Sequence, residues 1–167
     1  MKDTILNSLA RLEETGLSLL LRESGVAFFT SLTLHSLAMA FVVGINLLLA
    51  ARLLGLLSQI ELHKFRPYLT LHWWFAGLIF FSGAALLLAY PAKALTNPVF
   101  YLKLVALSAG LLLLLKLQSS IKDPNLSIRP DRQKLFGATM IACWVTTIFA
   151  GRFLAYTNSI LLASSFY

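Results

Sequence analysis

Cysteine is nearly absent from this chain. The single Cys143 lies inside an apolar stretch, so no internal disulfide can form and the redox compartment cannot be read from cysteine. Its role is that of a small packing residue. Charge is also scarce, at 13% of 167 residues, with seven acidic residues against fourteen Lys and Arg. Paired carboxylates, Cys/His metal spacing, a Ser/His/Asp set and a glycine-rich phosphate loop are all missing, and with them the usual signatures of hydrolases, metalloenzymes and nucleotide-binding proteins. No proline interrupts an apolar stretch. Arg66-Pro67, Tyr90-Pro91, Asn97-Pro98, Asp123-Pro124 and Arg129-Pro130 all fall in connections, where proline removes no helix hydrogen bond. Repeats and low-complexity tracts are absent apart from leucine runs such as 111–115.

What is present is apolar sequence, 58% of the chain, gathered into four stretches at about 26–57, 70–90, 99–117 and 135–156. A hydrocarbon core about 30 Å thick needs about 20 helical residues, and each stretch is long enough. The expected fold is all-α: an integral membrane antiparallel four-helix bundle over residues 25–167, preceded by an N-terminal amphipathic interfacial helix within residues 1–24. Ile5, Leu9, Leu12 and Leu19 recur there at helical spacing, with Lys2, Arg11, Glu13 and Glu14 elsewhere around the helix. Asp3, Glu13 and Glu14 break the start too early for a cleavable signal peptide, so the first span is expected to direct insertion. No room remains for a water-soluble catalytic domain, and no catalytic activity of its own is expected.

The formal charge of +7 would suggest nucleic acid in a soluble protein. Here the basic residues sit between spans, where topology and anionic membrane lipids account for them, so no nucleic-acid partner is implied. Let side A be the face bearing the N-terminus. Side B then holds Lys64, Arg66, Lys122, Arg129, Arg132 and Lys134, with Arg52 and Lys116 at nearby span ends, against Lys93 in the A connection. The positive-inside rule makes B cytoplasmic in a bacterial inner membrane and puts both termini on the periplasmic or exterior side. Lys2, Arg11 and Arg22 reduce that asymmetry. Tyr68, Trp73 and Trp74 mark the B interface, and Tyr90, Phe100, Tyr101 and Tyr156 the A interface.

Helices in lipid associate through small residues and a few buried polar groups. Ser36, Ala40 and Gly44 in span one, Gly77, Ser82 and Gly83 in span two, Ala106 and Gly110 in span three, and Ala150 and Gly151 in span four supply the small faces. Thr139, Cys143, Thr146 and Thr147 give span four a polar stripe, read as hydroxyls bonding back to their own helix.

Ionisable groups within a membrane are costly, which singles out His35, Lys103 and Arg152. His35 lies about 14 Å into span one by the helical rise, with Ser31, Met39 and Asn46 on roughly the same face. A neutral imidazole there can make a structural hydrogen bond, ligate haem iron, or exchange a proton with a quinol. His72 enters from side B, and depths differing by roughly 10 Å argue against one haem clamped by both histidines. His72 is assigned to the interfacial belt beside Trp73 and Trp74, and His63 to a solvated loop. Lys103 and Arg152 can snorkel to lipid phosphate or, with Lys93, hold haem propionates, a quinone headgroup or an acidic partner.

The chain resembles a bacterial family of small four-span membrane proteins of unassigned function, distantly like copper-resistance D-type and b-type cytochrome membrane domains. The resemblance runs through Leu12-Glu13-Glu14-Thr15-Gly16, Arg22-Glu23-Ser24, Leu34-His35, Met39-Ala40-Phe41-Val42-Val43-Gly44 and Arg52-Leu53-Leu54-Gly55. It continues in Trp74, Gly77, Gly83, Asn97-Pro98, Phe100, Lys103, Gly151-Arg152 and Ala155-Tyr156. The family often carries an acid before the Arg-Leu-Leu-Gly stretch and an Asn or His late in span three; Ala50, Ala51 and leucines 111–115 stand here instead. The expectation is a subunit of a larger membrane assembly, with protein partners in the membrane and an electron-transfer or quinol-linked role. The alternatives are a redox protein with a single haem b on His35 and, third, a small transporter. The candidate cofactor contacts are His35, Lys103 and Arg152, with His35 as the candidate haem-iron ligand.

Overall fold

Gly55 decides where the first long helix stops. Its backbone is left-handed at φ 90°, and it follows two crossing bonds typical of a glycine-terminated helix: Gly55 N–H to Arg52 O at 3.1 Å and Leu56 N–H to Ala51 O at 3.0 Å. The structure, a computed structural model, describes residues 2–122 and 129–164, with side-chain surroundings at 7–122, 129 and 132–156. The Asp123-Pro124 turn and the side chains of Lys2 and Ile5 lie outside the described residues.

Among the described residues there are no strands and seven α-helices: α1 Lys2–Glu13, α2 Gly16–Glu23, α3 Gly25–Leu53, α4 Arg66–Ala89, α5 Pro91–Leu95, α6 Pro98–Lys122 and α7 Pro130–Ser164, with a 3₁₀ turn at Leu62–Phe65. The helix starts follow local chemistry. Thr15 caps α2 by accepting from Ser18 N–H, Ser24 caps α3 by accepting from Ala27 N–H, and Pro67 and Pro91 occupy the first turns of α4 and α5. Four helical segments are long and apolar enough to cross a bilayer, as in a multi-pass membrane protein: Gly25–Leu53, Leu62–Ala89, Pro98–Lys122 and Arg132–Tyr156. The first ends before residue 57 because of Gly55. The N-terminal segment is two helices rather than one, broken where Thr15 takes up its extended capping geometry. Its only buried α2 residue is Ser18, whose hydroxyl donates to Leu88 O at 2.8 Å, while Leu17 and Leu20 are exposed.

α3 packs against α4 and α7, and α7 against α6. The core between them is Val42, Leu49, Leu53, Leu114, Leu117, Ile121, Met140 and Trp144. Glycines let the helices approach. A Cβ on Gly110 would lie 3.1 Å from the Trp144 ring, and one on Gly137 only 2.9 Å from Ala50 O, so α7 rides directly on the α3 backbone. The small face expected on span one is elsewhere: Ser36 and Ala40 are exposed, and Gly44 and Gly77 meet nothing within 4 Å. Thr139 and Thr147 donate to Leu135 O and Cys143 O, each at 2.8 Å, the local back-bonding expected of them.

Candidate functional site

Two histidines reach inward from the α3–α4 pair, and they are partnered separately. Ser82 Oγ donates to Leu78 O at 2.5 Å, so it accepts from His35, whose Nδ1–H lies 3.0 Å away. That fixes the tautomer: Nδ1 carries the proton and Nε2 keeps its lone pair. Gly83 permits this, since a Cβ there would sit 3.2 Å from His35 Cε1. A ring nitrogen held by an internal acceptor is how proteins orient an imidazole.

His72 faces the bundle interior rather than the outer surface on which Trp74 stands. It is fully buried, and Asn46 donates to its Nε2 at 2.8 Å while also donating to Val42 O at 2.7 Å. The reason is the face it occupies on α4: His72 meets Asn46 of α3, while Trp74, two residues on, is exposed. His72 Nδ1, Asn46 Oδ1 and Trp144 Nε1 are buried with no hydrogen-bond partner. Because Ser82 and His72 are ten residues apart on α4, about 15 Å, the two imidazoles belong to different levels of the protein. Asn46, expected on the face of His35, is committed to His72.

His35 opens onto a cleft of about 410 Å³ formed where α3, α4, α5, α6 and α7 converge at the side A end. Its apolar walls include Phe28, Leu32, Leu86, Phe100 and Leu154, and its polar groups come from His35, Tyr90, Lys93 and Lys103. Lys93 Nζ donates to Ala155 O at 3.2 Å, tying α5 to α7. Lys103 runs along α7 at Gly151, where a Cβ would lie 3.6 Å from Cε and 3.7 Å from Nζ. The N-terminal helices brace this end, with Glu13 Oε1 accepting from Ala92 N–H at 3.2 Å beside Lys93.

The structure thus brings His35 and Lys103 together but sends Arg152 elsewhere: it is exposed, with its guanidinium 5.2 Å from the centre of the Tyr156 ring. Sequence reasoning did not pair Ser82 with His35, although both lie at matching distances from the A end and the pairing was available on that ground. His63 is solvent-exposed and lies 3.2 Å from Glu61. No group of three or more metal-ligating side chains occurs among the described residues. At the opposite end Ile45, Leu48, Leu57, Ile60, Lys64, Phe65 and Tyr68 line a second cavity of about 300 Å³. No protein-family model, curated protein or solved structure matches the chain.

Proposed function

We propose that this protein is an inner-membrane subunit of a larger assembly, an antiparallel four-helix bundle with an electron-transfer or quinol-linked role centred on His35. The observation that carries the reading is the His35 imidazole, set by Ser82 through Nδ1 and lining an apolar cleft. Such an imidazole suits the hydroxyl of a membrane-borne quinol, and Lys103 offers a donor for a quinone oxygen. His35 with Ser82 and Asn46 with His72 pair in opposite senses along α3 and α4, which supports the antiparallel arrangement. The basic excess on side B supports a cytoplasmic B face. Purification under mild conditions tests the reading. The protein is expected to bring partner subunits and quinone, with the quinone lost in His35→Ala; equal quinone in both proteins, or none, would refute it.

A single b-type haem on His35 is the second reading, favoured by the same tautomer, since metal-bound imidazoles commonly donate Nδ1–H to an internal acceptor. His35 would hold the iron and Lys103 a propionate, whereas His72 is committed to Asn46 at another level. Haem, when bound, supplies one-electron chemistry. A reduced-minus-oxidised Soret shift that disappears in His35→Ala would establish this reading over the quinol one.

A further inference from the structure

Lys103 and Arg152 both stand near the side A ends of their spans, yet they behave differently. Arg152 is exposed against Tyr156, as a snorkelling cation should be. Lys103 instead turns into the cleft, half-buried along Gly151, and makes no hydrogen bond or ion pair among the described residues. An ammonium drawn into a low-dielectric setting without a counter-charge is unfavourable, and such groups in membranes are normally paired. No lining residue of the cleft is Asp or Glu, and the nearby Glu13 carboxylate already accepts from Ala92 N–H. Lys93 adds a second cation to the same cleft, with one of its three hydrogens committed to Ala155 O.

We infer that the cleft holds an anionic oxygen group, a carboxylate or phosphate, carried on an apolar membrane molecule whose headgroup meets Lys103 and Lys93. The cleft, at about 410 Å³, lies in the size range of small-molecule sites and has room for a headgroup and the first carbons of a tail. The rest of the molecule would stay among lipid tails. The inference rests on the cleft and its cations; it shares Lys103 with the redox reading but does not require His35.

The full chain, delipidated in detergent and titrated by native mass spectrometry, tests it with three probes: dioleoyl phosphatidylglycerol, dioleoyl phosphatidylcholine and oleic acid. One tight site is expected for an anionic probe over the zwitterionic one, and whichever of phosphatidylglycerol and oleate binds tighter identifies the phosphate or the carboxylate. Lys103→Met should weaken that site about tenfold or more, the effect of losing one hydrogen bond to a charged group. Lys103→Arg should retain it, and Lys134→Met, at the other end, should leave it unchanged. Equal affinity for all three probes, or equal weakening by Lys103→Met and Lys134→Met, would overturn the inference. If Lys103→Met fails to fold, Lys93→Met provides the same comparison with a smaller expected loss. Loss of quinone or haem from His35→Ala with the anionic preference intact would show the two readings to be separate.

Discussion

Replacing Gly137 with alanine would drive a methyl group into the backbone of α3. The new Cβ would stand 2.9 Å from Ala50 O, 3.1 Å from Leu53 Cβ and 3.2 Å from Leu54 Cγ, against an ordinary separation of about 3.5–4.0 Å. Ala50 O cannot step aside, because it accepts the Leu54 N–H at 2.9 Å within its own helix. α7 must therefore withdraw by about half an ångström. Across a few tens of atom pairs worth roughly 0.1–0.2 kcal/mol each, a gap of that size forfeits about a quarter of the attraction, or about 1–2 kcal/mol. Residual overpacking brings the cost to about 1–3 kcal/mol, and alanine's helix propensity offsets about 1 kcal/mol of it. The expected net loss is about 1 kcal/mol, measured by equilibrium unfolding in mixed micelles. Gly77→Ala is the matched control: its Cβ meets nothing within 4 Å, so only the propensity gain remains and the variant should be stabilised. Equal responses at the two glycines would refute the close approach of α7 to α3.

Asn46→Leu should cost about 1–3 kcal/mol by leaving both nitrogens of buried His72 unpaired, whereas Asn46→Leu with His72→Phe should recover much of that loss. A double-mutant cycle checks this, and additive losses would contradict it. Gly55→Ala should lower stability by about 1 kcal/mol, because φ 90° suits glycine and the helix end depends on it; an unchanged unfolding midpoint would count against that helix end. Ser82→Ala should release the His35 ring from its single tautomer, read as a change in the imidazole nitrogen chemical shifts of labelled protein, while unchanged shifts would remove Ser82 as the orienting group.

The four spans were legible because nothing but length and apolar content is needed to recognise a helix that can cross a bilayer. The face a residue occupies on its helix was less legible. Hydropathy places His72 near the start of the second apolar stretch with Trp73 and Trp74, but its side chain meets Asn46 of α3 and is buried while Trp74 is exposed. The first span was overread because Leu56 and Leu57 continue the apolar run past a turn that only the backbone of Gly55 makes. Small residues mark where helices can touch without saying which neighbour they meet. Gly110 and Gly151 were recognised as packing positions, Gly137 was not, and the Ser36–Ala40–Gly44 stripe faces outward. His35 and Lys103 were legible as isolated costly groups in one leaflet. Their convergence on one cleft required knowing that α5 folds Lys93 back toward α7 while Arg152 turns out.

The two histidines divide their work according to what surrounds them. His35–Ser82 and Asn46–His72 are spaced eleven residues apart on α3 and ten on α4, rises of about 16 Å and 15 Å, so both pairs can close only in one register. Sliding α4 by one turn, about 5.4 Å, would break both bonds and strand four polar groups in an apolar interior. Interhelical bonds of this kind contribute about 0.6 kcal/mol on average in a membrane, so their value lies more in excluding the wrong register than in added stability. His72, fully buried with Asn46, does nothing that requires an outside molecule to reach it. His35 performs the same registering task through Nδ1 and also lines the cleft with Lys103, so of the two histidines it is the one a molecule in that cleft can reach.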